Sequence, residues 1–278
     1  TRPPGAVEHQ VVPDHVELDH LAVAAESSWD LWIRYGAELG GRLVGGSPTD
    51  GFHWSQVRFG GGMKIEMLEP HDVESFDFLR RFLDRHGPGP HHLTFKVPDL
   101  ATMIDEVRSA GATVVGVDLE SPTWKEAFLL PATSCGIVVQ IAQEGGEPSP
   151  EQEDLAPAPR HGDIAHLDRI VHLVADLDAG LQLFAGPLAG TEVDRGDDGG
   201  RWVELAWPGP GRLRLLQPAD DELRLWLGDR PGRLHHVAFT IDRPDDVAGA
   251  TRLADGWEID PADHLGVRIR LRSPDRNC

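Results

Sequence analysis

Four short apolar segments of the chain share one pattern. They are Leu18-Asp19-His20-Leu21-Ala22-Val23, His91-His92-Leu93-Thr94-Phe95, Leu167-Asp168-Arg169-Ile170-Val171-His172 and His235-His236-Val237-Ala238-Phe239. Their anchors fall at 20, 92, 169 and 236, intervals of 72, 77 and 67 residues. Each segment is short, rich in β-branched or aromatic residues and flanked by polar ones, so each predicts a strand. A helical period follows each strand. After the second, Leu100, Met103, Ile104 and Val107 form an i, i+3, i+4, i+7 stripe. Asp99 suits its N-cap and Gly111 its stop. After the third, Asp176 precedes Leu177, Leu181, Leu183 and Phe184, with Gly190 closing the segment. In the first unit Ser27 or Ser28 caps a helix through Trp29, Trp32, Tyr35 and Leu39 that ends at Gly40-Gly41. In the fourth, Asp245 and Asp246 precede a helix from Val247 to Leu253, before Gly256.

Further strands follow each helix. The first unit has Trp54 to Phe59 and Met63 to Leu68, and the second has Thr113 to Val117, Glu126 to Leu130 and Ile137 to Ile141. The third has Trp202 to Ala206 and Leu213 to Leu216, and the fourth Trp257 to Ile259 and Val267 to Leu271. The unit is therefore strand, helix, then two or three strands, and it occurs four times. Residues 144–164, with Pro148, Pro150, Pro157, Pro159 and several acids, lack periodicity and read as a linker. Two domains of two units each follow, over 17–143 and 165–272.

The 278 residues carry 46 acids against 26 bases, a formal charge of −20. Such a surface repels nucleic acid and anionic membranes, so neither is an expected partner. No apolar run reaches the roughly 18 residues of a membrane span, and Thr1 to Asp14 lack the apolar stretch of a signal peptide. Cys135 and Cys278 are too far apart in sequence for a disulfide framework or a thiolate metal site. The expected location is cytoplasmic.

Polar residues that interrupt apolar strands are the candidates for chemistry. His20 and His92 sit in the first and fifth strands, Glu66 in Ile65-Glu66-Met67-Leu68 and Gln140 in Val138-Val139-Gln140-Ile141. The spacings repeat, 46 residues from His20 to Glu66 and 48 from His92 to Gln140. Side chains alternate across a sheet, so a twofold-related pair of units gathers these four on one concave face, while His91 should point away. Two imidazoles, a carboxylate and an amide oxygen suit one divalent transition metal (Zn, Mn, Co, Ni or Fe) with open positions for water or substrate. At the matching positions of the second domain stand Arg169, Arg214, His236 and Arg270. Arginine keeps its proton and does not ligate metals. Three guanidiniums in one cup repel one another unless carboxylates or a bound anion intervene, which leaves salt bridges and an anion pocket both open.

The pattern resembles the vicinal oxygen chelate superfamily, which includes glyoxalase I, extradiol dioxygenases, fosfomycin-resistance enzymes, bleomycin-binding proteins and methylmalonyl-CoA epimerase. The resemblance implies an α+β fold: four βαβββ units forming two cupped mixed sheets with outer helices. It covers about residues 17–143 and 165–272 and places metal ligands at His20, Glu66, His92 and Gln140. The first domain is most similar to methylmalonyl-CoA epimerase in Leu18-Asp19-His20-Leu21-Ala22-Val23, in Gly89-Pro90-His91-His92-Leu93-Thr94-Phe95-Lys96-Val97, in Ala127-Phe128-Leu129-Leu130-Pro131 and in Gly136-Ile137-Val138-Val139-Gln140. Two departures stand out. The family uses carboxylates for proton transfer in the epimerase, where this chain has Gln140 and Gln56, and a neutral amide is no general base. Extradiol dioxygenases also use a last-strand carboxylate, a role left here to Glu66. The resemblance implies a metal-dependent isomerase, epimerase or lyase acting on a small carbonyl substrate through an enolate-type intermediate. Glu66 and Glu126 are the candidate catalytic carboxylates. A drug-sequestering protein without turnover, its cleft lined by Trp29, Trp32, Trp54 and Trp124, and an extradiol-type dioxygenase are the alternatives. Relatives pair domains between chains, so a monomer and a homodimer are both consistent.

Overall fold

The computed structural model describes residues 14–145, 160 and 163–274. Its first sheet contains β1 (Glu17–Ala24), β2 (Arg42–Thr49), β3 (Phe52–Arg58), β4 (Lys64–Pro70), β5 (Gly89–Lys96), β6 (Val114–Asp118), β7 (Trp124–Leu129) and β8 (Val138–Glu144). The second contains β9 (His166–Val174), β10 (Thr191–Gly196), β11 (Gly200–Ala206), β12 (Arg212–Pro218), β13 (Gly232–Thr240), β14 (Thr251–Leu253), β15 (Gly256–Ile259) and β16 (Ile269–Arg272). Strand order is β2-β3-β4-β1-β5-β8-β7-β6 in one and β10-β11-β12-β9-β13-β16-β15-β14 in the other. The order is the same in both, so the fold is a tandem α+β pair of eight-stranded mixed sheets. β1 and β5 meet antiparallel at the centre, each with a parallel outer neighbour, β4 or β8.

Helices α1 (Ser28–Trp32), α3 (Leu100–Ser109) and α4 (Leu177–Phe184) start where the caps predict. Ser27 accepts from the Trp29 amide, Asp99 from that of Thr102 and Asp176 from those of Asp178 and Ala179. α1 continues as a π-helix over Ile33–Glu38, which buries Arg34 and Glu38. α4 stops at Phe184, short of Gly190.

The fourth helix is absent. Pro244–Asp246 form one 3-10 turn, Gly249 turns left-handed at φ 77°, and Thr251–Leu253 pair with β15 as a strand. A seven-residue stretch with a glycine in its middle is a poor helix. Edge strands β2, β10 and β14 and the helices α2 (Phe78–His86) and α5 (Asp221–Leu227) are additions to the sequence reading. Of the expected linker, Glu144 belongs to β8 and pairs with Trp124. Residues 146–159 and 161–162 lie outside the described residues, as do 1–13 and Cys278.

Alternate residues of each central strand face opposite sides. Leu21 and Val23 of β1, Ile65 and Met67 of β4, Leu93 and Phe95 of β5, and Val139 and Ile141 of β8 join one apolar core. That core is continuous with Leu167, Ile170, Leu215, Val237 and Phe239 of the second half. Phe59 packs on Phe239, and Phe95 on Phe184 and Trp207. The opposite face of the first sheet is the cup, and α2 closes one end of it. Leu79 and Leu83 pack there on Ala22, Ala24 and Leu68. No helix among the described residues is long and apolar enough to cross a membrane.

Candidate metal centre

Strand register brings the candidates together. Ala22 of β1 lies beside Glu66 of β4 on one side and His92 of β5 on the other, while Thr94 lies beside both His20 and Gln140. His20, Glu66 and His92 each offer a ligand atom, and the three atoms lie within 4.8 Å of one another. His20 Nε2 is 3.4 Å from Glu66 Oε2, and His92 Nε2 is 3.6 Å from the same oxygen. His92 Nε2 is buried with no hydrogen-bond partner among the described residues. Gln140 stands beside the triad. Its Oε1 accepts from the Thr94 hydroxyl at 2.6 Å, and its Nε2 donates to Glu126 Oε2 at 2.6 Å. The Trp124 indole donates to the same Glu126 oxygen at 3.0 Å. Gln56, opposite Glu66 in the β3–β4 ladder, donates to Glu66 Oε1 at 3.1 Å.

Two bulges shape this face. Between β1 and β5 the register skips Asp19 and again His91. Each extra residue lets two neighbours share a side. His91 therefore turns into the cup instead of away from it. Its ring packs against Phe78 and Phe82 of α2, and its Nδ1 is 2.7 Å from Nδ1 of His92. If His92 donates in that contact, its Nε2 carries a lone pair toward Glu66. Asp19 reaches His20 Nδ1 at 2.7 Å, while His20 Nε2 meets the Thr94 hydroxyl at 2.9 Å and Glu66 at 3.4 Å. A carboxylate behind a histidine is the usual orienting partner of a metal-ligating ring. Asp19 also takes Lys64 at 2.8 Å and Lys96 at 3.3 Å. Strict alternation places Asp19 and His91 on the far face, which is why the expectation that His91 points away fails, and Thr94 reads as an ordinary strand residue. The Asp-His and His-His doublets, repeated as Asp168-Arg169 and His235-His236, are the signal that could have found two of them.

Charge follows this geometry. Burial disfavours the Asp19 carboxylate, yet Lys64, the His20 ring and Lys96 hold its pKa well below the usual range. Burial also opposes ionisation of Glu66, and His20, His92 and Gln56 outweigh it to bring the pKa to about 2. Burial, with His91 adjacent, pushes His92 well below its ordinary value, so its ring is neutral. Burial raises Glu126, against its bonds from Gln140 and Trp124. Glu66 and Asp19 raise the His20 pKa against burial, so an ion would displace a proton from that ring; with neutral His92 and ionised Glu66 it completes a donor set that fits a divalent ion. The orphaned His92 nitrogen is a position such an ion satisfies.

Other candidates lie elsewhere. Trp32 belongs to the core, Trp29 is 60% exposed on α1, and Trp54 packs beside α2. Of the four tryptophans only Trp124 touches the site's polar network. Burial pushes the Cys135 thiol up to about 11, which keeps it protonated and unreactive. In the second cup Arg169, Arg214, His236 and Arg270 occupy the positions matching His20, Glu66, His92 and Gln140. Carboxylates intervene there. Arg169 and Arg214 share Glu204 Oε2 at 2.8 and 2.9 Å, and Arg270 reaches Glu258 at 2.7 Å.

Comparison with known proteins agrees with the fold. A variant of 4-hydroxymandelate synthase from Streptomyces coelicolor is 12% identical, with a TM-score of 0.64 over 95% of this chain and 94% of that one. A hypothetical protein from Staphylococcus aureus is 12% identical, with a TM-score of 0.60 over 93% of this chain and all of that one. Methylmalonyl-CoA epimerase from Mycobacterium tuberculosis is 24% identical over 51% of this chain and 97% of that one, with a TM-score of 0.43. No curated protein matches the chain. Residues 19–128 match the family model described as Glyoxalase/Bleomycin resistance protein/Dioxygenase superfamily, and that stretch of the chain is a domain of this superfamily.

Proposed function

We propose that the chain is a divalent-metal-dependent enzyme of the isomerase, epimerase or lyase kind, acting on a small carbonyl compound through an enolate-type intermediate. One observation carries this reading: among the described residues His92 Nε2 is buried without a hydrogen-bond partner, 3.6 Å from the Glu66 carboxylate that also faces His20. His20, Glu66 and His92 would hold the ion, and Gln140, whose Oε1 accepts from Thr94, would be the fourth donor. When bound, the ion polarises a substrate oxygen as a Lewis acid. Glu126 is the carboxylate placed to move a proton, since it borders the cup beside Gln140 and is oriented by Trp124. Gln56 positions Glu66 and takes no part in proton transfer.

The test is elemental analysis of purified protein beside a His20→Ala, His92→Ala variant. Near-stoichiometric Zn, Mn, Co, Ni or Fe that disappears in the variant is expected. A wild-type protein that stays metal-free after reloading with each ion would sink the enzyme reading and leave a ligand-sequestering protein as the better account.

A further inference from the structure

The second cup holds more positive charge than its own carboxylates neutralise. Arg169 on β9 and Arg214 on β12 both donate to one oxygen of Glu204. Arg268, just before β16, and Arg270 within it both reach Glu258, each at 2.7 Å. Arginine stays protonated, so four cations face the two cup carboxylates; a third, Asp255, stands 3.8 Å from Arg270 but is 84% exposed and screened by solvent. Most donors of these forks are unused among the described residues, and Arg268 Nε is buried with no hydrogen-bond partner. Arg214 is fixed by stacking on Trp202, 3.7 Å from the ring centroid, and by Nε and Nη2 on Glu204, which leaves the Nη1 end of its fork to bind.

The two arginine clusters stand on either side of a floor formed by Val171 and Ala238. β12 and β16 are separated by β9 and β13, three strand spacings or about 14 Å between backbones. Long side chains reaching inward from both flanks close most of that span. Ala238 occupies the place of Thr94, and His236 that of His92. Thr94 and His92 are buried, whereas Ala238 and His236 are half-buried, so the second floor opens to solvent. Beyond the Debye length the −20 charge of the chain is screened, and the local field is set by the arginines.

We propose that this cup binds a small dicarboxylate, one carboxylate against Arg169 and Arg214 and the other against Arg268 and Arg270. Its two charges match the two that Glu204 and Glu258 leave unpaired within the cup, and a planar guanidinium fork takes a carboxylate bidentately.

The test is calorimetric titration of the intact protein with succinate, acetate and inorganic phosphate. Saturable one-to-one succinate binding, about tenfold or more tighter than acetate, is expected. The variant Arg214→Gln, Glu204→Gln removes a donor and its counterion together and should weaken succinate about tenfold or more. Ala238→Glu places a carboxylate on the floor and should abolish succinate binding while raising the thermal midpoint, so a variant that fails to fold does not hide the answer. His20→Ala, His92→Ala should bind succinate as the wild type does, which separates this site from a metal in the first cup. No saturation by about 10 mM succinate, unchanged binding in Ala238→Glu, loss in the histidine variant, or phosphate bound as tightly as succinate would each overturn the assignment.

Discussion

Asp19 and His91 stand one position out of register, and the site depends on both. Each is the extra residue of a bulge that lets a neighbouring histidine keep its own place on the cup face. Asp19 then fixes the His20 ring from behind at 2.7 Å while two lysines balance its charge. In a metal-loaded protein Asp19→Asn should weaken metal binding by about 10–100-fold, the usual cost of losing such a partner. Competition with a chromophoric chelator measures this directly. Unchanged affinity would reduce Asp19 to a counterion for Lys64 and Lys96. The four residues His20, Glu66, His92 and Gln140 were legible because each is a polar break in an apolar strand and the repeat puts them in register. The bulges were not legible. A period of two carries no mark of a skipped residue, and only the pairing partner across the ladder reveals it.

Among the elements, those with strong periodicity or a capping residue were readable, and those defined by their neighbours were not. Asp99 and Asp176 cap α3 and α4 as their sequences indicate. β2 runs through Gly45, Gly46 and Pro48, a composition that reads as loop, and becomes a strand only because β3 offers it an edge. Val247 to Leu253 has apolar residues enough for a helix, but the hairpin with β15 and the left-handed Gly249 decide otherwise. α2 was missed although Phe78, Leu79, Phe82 and Leu83 make a helical face, and it is the element that closes the first cup. Leu79 is fully buried against Ala22, Ala24 and Leu68. Leu79→Ala should cost about 2–5 kcal/mol in denaturant unfolding, the range for a buried leucine truncated to alanine. A loss under about 1 kcal/mol would mean that α2 is not seated on the sheet as described.

At the scale of the whole molecule the two halves share one core, and two neutral histidines sit where they meet. His172 of β9 donates through Nε2 to the Cys135 carbonyl of the first half at 2.6 Å, and its Nδ1 is buried without a partner among the described residues. His264 accepts from Arg34 Nε at 3.3 Å and packs on the buried Tyr35 ring. Burial brings His172 down to about 4, and burial with Arg34 adjacent brings His264 to about 3. In the unfolded chain both rings titrate near 6.5. Below that pH the unfolded state takes up protons that the folded state refuses, so stability falls as pH drops. The fall continues until the folded values are reached. Each ring should cost on the order of 3 kcal/mol between pH 6.5 and 4. Glutamine can keep both contacts, donating to Cys135 or accepting from Arg34, without a titrating proton. Thermal midpoints of the wild type should therefore fall more steeply over this range than those of a His172→Gln, His264→Gln variant. Carboxylate titration, common to both proteins, cancels in the difference. Parallel curves would show that these rings do not couple the junction between the halves to pH. A shallower curve in the variant would place part of the molecule's acid sensitivity at that junction, apart from either cup.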